Sequence, residues 1–112
     1  MYETAFENDS TNAAIVSNLA LTCLKLNQHE EAVAYCDMGL KQKPNKALEV
    51  KLLYRRATAL VEMGGESLTN ALIDFQSIVQ MEPNNKKAQA GVASVEAAIA
   101  VYQAAPEEKE EI

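Results

Sequence analysis

Four side chains in this sequence have the types and the spacing to grip an anion. Lys51 and Arg55 are four residues apart, so on a helix they project from one face. Asn18 stands two residues before Ala20, just as Arg55 stands two before Ala57, and Lys25 follows Asn18 by seven, two helical turns along the same side. One amide and three cations so arranged suit a carboxylate: lysine supplies a point charge, arginine a planar fork for two oxygens, asparagine an uncharged donor. Arg56 adjoins Arg55 but faces another way and reads as a surface charge. Nothing beside this set looks catalytic. His29, the only histidine, opens a helix beside Glu30 and Glu31 with no second histidine or positioned nucleophile. There is no Gly-rich phosphate loop, zinc spacing or nucleophile motif. The expectation is a binding protein, not an enzyme, with no metal and no cofactor.

The elements that must hold these residues are helices. Of 112 residues, 48% are apolar but only 5% aromatic, and Ala and Leu dominate while Gly and Pro are few. Ala and Leu lose little side-chain entropy in a helix, so the fold class is all-α. Met1 to Glu7 carries two acids and no apolar run, unlike a signal peptide. The longest apolar stretch, Ala97 to Tyr102, is far short of the roughly 20 residues that span a bilayer. Cys23 and Cys36 lack metal-ligand spacing and read as buried free thiols of a cytosolic or nuclear protein, with cytoplasmic the expected location. Tyr35, Tyr54 and Tyr102 read as packing residues.

Charge is unevenly spread. The net value is −6, yet Lys41 to Arg56 holds six cations against one acid, while Glu107 to Glu111 holds four acids against one lysine. A basic segment in an acidic chain suits an acidic peptide partner. Nucleic acid is excluded by the net charge and by the lack of aromatic residues interleaved with the cations.

Two stretches align by spacing. Leu19-Ala20-x2-Cys23 is followed by Ala32-x3-Cys36-x2-Gly39-x4-Pro44; Arg56-Ala57-x2-Leu60 is followed by Ala71-x3-Phe75-x2-Ile78-x4-Pro83. Small residues stand where paired helices come closest, and each proline ends a second helix. The pattern resembles the tetratricopeptide repeat (TPR), a helix–turn–helix unit of about 34 residues. Pro44 and Pro83 are 39 apart, so the second repeat carries insertions, one near Ala47-Leu48-Glu49 that lengthens a helix and one around Gly64-Gly65 that lengthens a turn. Tyr2-x2-Ala5-x4-Ser10 repeats the ruler once more, as the end of a preceding repeat.

The resulting expectation is a TPR helical solenoid over residues 1–105. Residues 1–10 end a preceding repeat, 13–46 and 47–84 are two repeats, 85–104 is a covering helix, and 106–112 is a disordered acidic tail. Helices are expected near 12–26, 29–41, 46–63, 68–81 (behind Ser67 as N-cap) and 85–104. The last shows an apolar stripe at Ala88, Val92, Val95, Ile99 and Tyr102. The stacking face around Val16 is expected to be under-covered, so the chain is expected to be monomeric or weakly self-associating.

Asn18 to Leu26, together with Lys51-x3-Arg55-Arg56-Ala57, is similar to the carboxylate-clamp TPR domains of co-chaperones, FKBP-type immunophilins in particular. That resemblance implies binding of the acidic Glu-Glu-Val-Asp C-terminus of heat-shock protein 90 or heat-shock protein 70. Asn18 would then donate to the terminal carboxylate, Lys51 and Arg55 would grip a carboxylate side chain, and Lys25 would support the peptide. The family's clamp also uses a Lys and an Asn of a preceding repeat, and any isomerase domain would lie outside this chain. The alternative is a structural TPR unit of a larger assembly, whose groove holds a helix or another chain segment.

Overall fold

The computed structural model describes residues 10–104, which form five α-helices and no strand. These are α1 (Ser10–Lys25), α2 (His29–Lys41), α3 (Lys46–Met63), α4 (Ser67–Met81) and α5 (Lys86–Ala104). The expected end of a preceding repeat and the expected acidic tail lie outside the described residues, apart from Ser10, which opens α1.

Local chemistry sets the boundaries. α1 ends in a Schellman turn: Asn27 takes a left-handed φ of 62°, the Gln28 N–H donates to the Cys23 carbonyl at 2.8 Å, and the Asn27 N–H donates to that of Leu24 at 3.1 Å. Asn45 caps α3, its side-chain oxygen accepting from the Leu48 N–H at 2.9 Å. α3 stops at Gly64 and Gly65, both at positive φ, where a side chain would be strained. Asn85 caps α5 by accepting from the Ala88 N–H at 3.0 Å. The start of α4 differs from expectation: Ser67 is its first helical residue, and Glu66 before it makes no side-chain cap.

Each helix packs on the next, and α1 also packs on α3. Two helix pairs, α1–α2 and α3–α4, therefore stack side by side with α5 against α4, an arrangement consistent with a TPR solenoid. Ala20, Ala32, Ala57 and Ala71 are fully buried, as expected of residues at the closest helix approaches. Gly39 meets the same need, since a Cβ there would lie 2.9 Å from the Leu52 side chain. Leu52, itself fully buried, contributes about 1.5–3 kcal/mol of transfer free energy. The largest core cluster joins α3, α4 and α5 through Leu53, Leu60, Phe75, Ile78 and Val95, with Tyr54 edge-on to Phe75 at 5.7 Å.

Two expectations about the surface change. Val16 is buried, not under-covered; the apolar residues that α1 leaves exposed are its neighbours Ile15 and Leu19. On α5, Ala88 and Val95 are buried and Val92 and Ile99 pack against the core, but Tyr102 is exposed. The insertion near Ala47 is absorbed into α3, which reaches 18 residues.

Candidate functional site

A cleft of about 600 Å³ opens between α1, α3 and the start of α5. α1 and α3 are the first helices of the two pairs, and α2 and α4 contribute nothing to its lining. α1 supplies Leu21, Leu24 and Lys25. α3 supplies Val50, Lys51, Tyr54 and Arg55 along its inner face. Asn85, in the turn before α5, and Lys87 on its first turn close the end. Four cations therefore meet in one cleft whose lining contains no acidic residue.

Three of the four sequence-derived site residues, Lys25, Lys51 and Arg55, share this cleft. Asn18 is exposed on α1, one turn before Leu21, and is not part of the lining; its carbonyl accepts from the Thr22 hydroxyl at 3.1 Å.

Arg55 is the most constrained of the cations. Its Nη1 donates to the Ser17 carbonyl at 2.7 Å and to the Ser17 hydroxyl at 2.6 Å, which ties α3 to α1 at the cleft wall. Ser17 is buried at 1% exposure while Arg55 is half-buried, so the anchor sits at the edge of the core. Burial lowers the pKa of Arg55 below the ordinary guanidinium value, though arginine remains charged at physiological pH. Both bonds run from Nη1 and leave Nε and Nη2 out of the anchor. A carboxylate in the cleft can use them.

Arg56 is not the surface charge that its position suggested. It is half-buried on a different face of α3, where Nε and Nη2 each donate to the Asp74 carboxylate of α4 at 2.9 Å, and Nη1 donates to Asp37 of α2 at 2.7 Å. Asp74 is itself buried. The fork thus ties three helices together, and the Asp74 hydrogen bonds raise the arginine's pKa above its ordinary value. Sequence reading missed this because Asp37 and Asp74 lie 19 and 18 residues away. Asp37 stands five residues after Ala32 and Asp74 three after Ala71, so the repeat register does not align them.

Lys87, Asn85 and Tyr54 were also missed as lining residues. Cys23 and Cys36 are free and buried, and burial pushes the Cys36 thiol up to about 12. Among the described residues, no group of three or more His, Cys, Asp and Glu side chains could hold a metal ion, and no helix is long and apolar enough to cross a membrane.

Fold and cleft together define a class: a stack of helix pairs, consistent with a TPR solenoid, with a cation-lined cleft between helices. The chain is similar to FK506-binding protein 59 of Drosophila melanogaster, 42% identical over 72 residues that make up 64% of this chain and 15% of that protein. It is 34% identical over 98 residues to human peptidyl-prolyl cis-trans isomerase FKBP4, covering 82% of this chain and 20% of that one. Human sperm-associated antigen 1 is 34% identical over 83 residues, 74% of this chain and 8% of that protein. The chain thus spans a fifth or less of the length of these relatives. No protein-family model matches it, and no solved structure matches it significantly.

Proposed function

We propose that the chain is a TPR module of an immunophilin-like, cytoplasmic co-chaperone and that it docks the acidic C-terminal peptide of heat-shock protein 90 or heat-shock protein 70 in its groove. The observation that carries this reading is the cleft itself: Lys25, Lys51, Arg55 and Lys87 line it with no acid, in a chain of net charge −6. Lys51 and the unanchored edge of Arg55 take a carboxylate side chain, Lys25 supports the peptide, and Asn18 donates to the terminal carboxylate from α1. The similarity to FK506-binding protein 59 and to FKBP4 supports the immunophilin context. The isomerase activity in the latter's name belongs to a protein of which this chain matches 20%.

Titration of the isotope-labelled chain with Glu-Glu-Val-Asp, followed by NMR at low salt, tests the reading, because shift mapping registers weak complexes. The free-carboxylate peptide should shift resonances of Lys51, Tyr54 and Arg55. Amidating its C-terminus, or raising the salt, should weaken binding about tenfold, as for the loss of one charged hydrogen bond. Absence of any shift in the cleft would remove the proposal. A second reading, a structural repeat unit in a larger assembly, draws on the exposed Ile15 and Leu19 of α1, which are 48% and 42% accessible. On that reading the groove holds a helix or chain segment, and amidation makes no difference.

A further inference from the structure

We propose that α5 is part of the ligand site as well as a cover for the core, and that Lys87 binds a second carboxylate side chain of the docked peptide; this rests on the peptide-docking reading above. A covering helix needs only its buried stripe, and Ala88 and Val95, with Val92 and Ile99 beside them, meet that need. Lys87 is not on the stripe. It is exposed and lines the cleft together with Lys25, whereas Lys86, one residue earlier and also exposed, does not line it.

The turn before α5 holds Lys87 in place. Asn85 accepts from the Ala88 N–H at 3.0 Å, and its amide donates to Glu82 at 3.0 Å, so the first turn is pinned at both ends of one side chain. Glu82 is thereby engaged outside the cleft lining. Both ion pairs seen there belong to Arg56, on a different face of α3. Among the described residues, none of the four cleft cations forms an ion pair. One carboxylate cannot meet cations presented by three helices, but a peptide with several acidic side chains can, and it relieves the repulsion among them.

The experiment titrates the 112-residue chain with the free-carboxylate peptide Glu-Glu-Glu-Val-Asp and with variants in which each Glu in turn is Gln. Lys87→Gln should weaken binding of the parent peptide about three- to tenfold, the range for a partly exposed ion pair, while Lys86→Gln leaves it unchanged. For one Gln-substituted peptide the effect of Lys87→Gln should vanish, which marks the carboxylate it holds. Both lysines are exposed, and the unperturbed amide spectrum serves as the check on folding. Equal losses from Lys86→Gln and Lys87→Gln would overturn the proposal as diffuse electrostatics. So would wild-type affinity of Lys87→Gln where Lys51→Gln is impaired, and that result leaves the docking reading intact. A chain that binds none of the peptides loses both.

Discussion

Replacing Arg56 gives the sharpest test of how the stack is held. Its guanidinium makes two parallel 2.9 Å bonds to Asp74, whose side chain is only 5% exposed, and one 2.7 Å bond to Asp37, whose side chain is 47% exposed. Arg56→Met keeps the aliphatic packing but leaves the Asp74 carboxylate buried without a partner, which costs about 3–5 kcal/mol. Asp37→Ala breaks a largely solvated pair and should cost only about 0–1 kcal/mol. The double variant Arg56→Met/Asp74→Leu removes both buried charges together. It should recover most of the loss, because the desolvation penalty disappears along with the attraction. Urea unfolding followed by circular dichroism at 25 °C measures all three, with unchanged slopes confirming that the folded states are alike. Since small domains are stable by only about 5–15 kcal/mol in total, the single variant will be close to unfolding, and the double variant then provides the decisive comparison. If Arg56→Met costs less than about 1 kcal/mol, or if the double variant is no more stable than the single one, Arg56 is not the tie inferred from these distances.

Other parts of the structure give smaller tests. Asn45→Ala removes the cap on the Leu48 N–H and should cost about 1 kcal/mol in the same urea assay. Ser17→Ala deletes one acceptor of Arg55 Nη1 but keeps the backbone one; stability should fall by about 1–2 kcal/mol, and NMR titration should show weaker binding of the free-carboxylate peptide. The Cys36 thiol, pushed up to about 12 by burial, should resist iodoacetamide at pH 8 in the folded chain and react once the chain is unfolded. Above about pH 9 the unfolded thiol loses a proton that the folded one keeps, so stability should fall as pH rises toward 12, with a slope approaching about 1.4 kcal/mol per pH unit. A Cys36→Ala variant should lack that part of the alkaline loss.

The helices were legible because their signals are local. His29–Lys41 and Lys46–Met63 emerge at the boundaries read from apolar spacing, Pro44 and the Gly64-Gly65 pair, all of which act within a few residues. The small residues at positions 20, 32, 57 and 71 were legible for a related reason: a repeat shows the same packing need twice, and the coincidence reveals it. Val16 was misjudged because burial of a single position on α1 depends on the exact rotation of that helix against α2 and α3. A phase error of one residue exchanges Val16 with Ile15. Tyr102 lies near the end of α5, where the apolar stripe continues in the sequence after most of its packing partners have ended.

The cleft was legible on two of its three walls, and the reason lies in how a helix distributes neighbours. Arg55 and Arg56 are adjacent in sequence, so they stand about 100° apart around α3. A helix that presents one of them to the inner groove must turn the other toward the seam between α2 and α4. Register with Asn18 and Ala20 identified the inner one. What the outer one meets depends on two other helices, and the repeat pattern assigns no residue there. Lys87 escaped for the complementary reason. α5 has no following partner helix in the described chain, so spacing alone marks it as a cover, and only the stacking of pairs shows that it also takes the groove-lining place held by α1 and α3. The adjacent arginines thus stand in two settings: Arg56 ties α2 and α4 to α3, and Arg55, braced by Ser17, lines the cleft, where the proposed docking would use its remaining donors. Breaking the outer pair should therefore weaken peptide binding even where no residue of the cleft is touched, in proportion to the fraction of chain left folded.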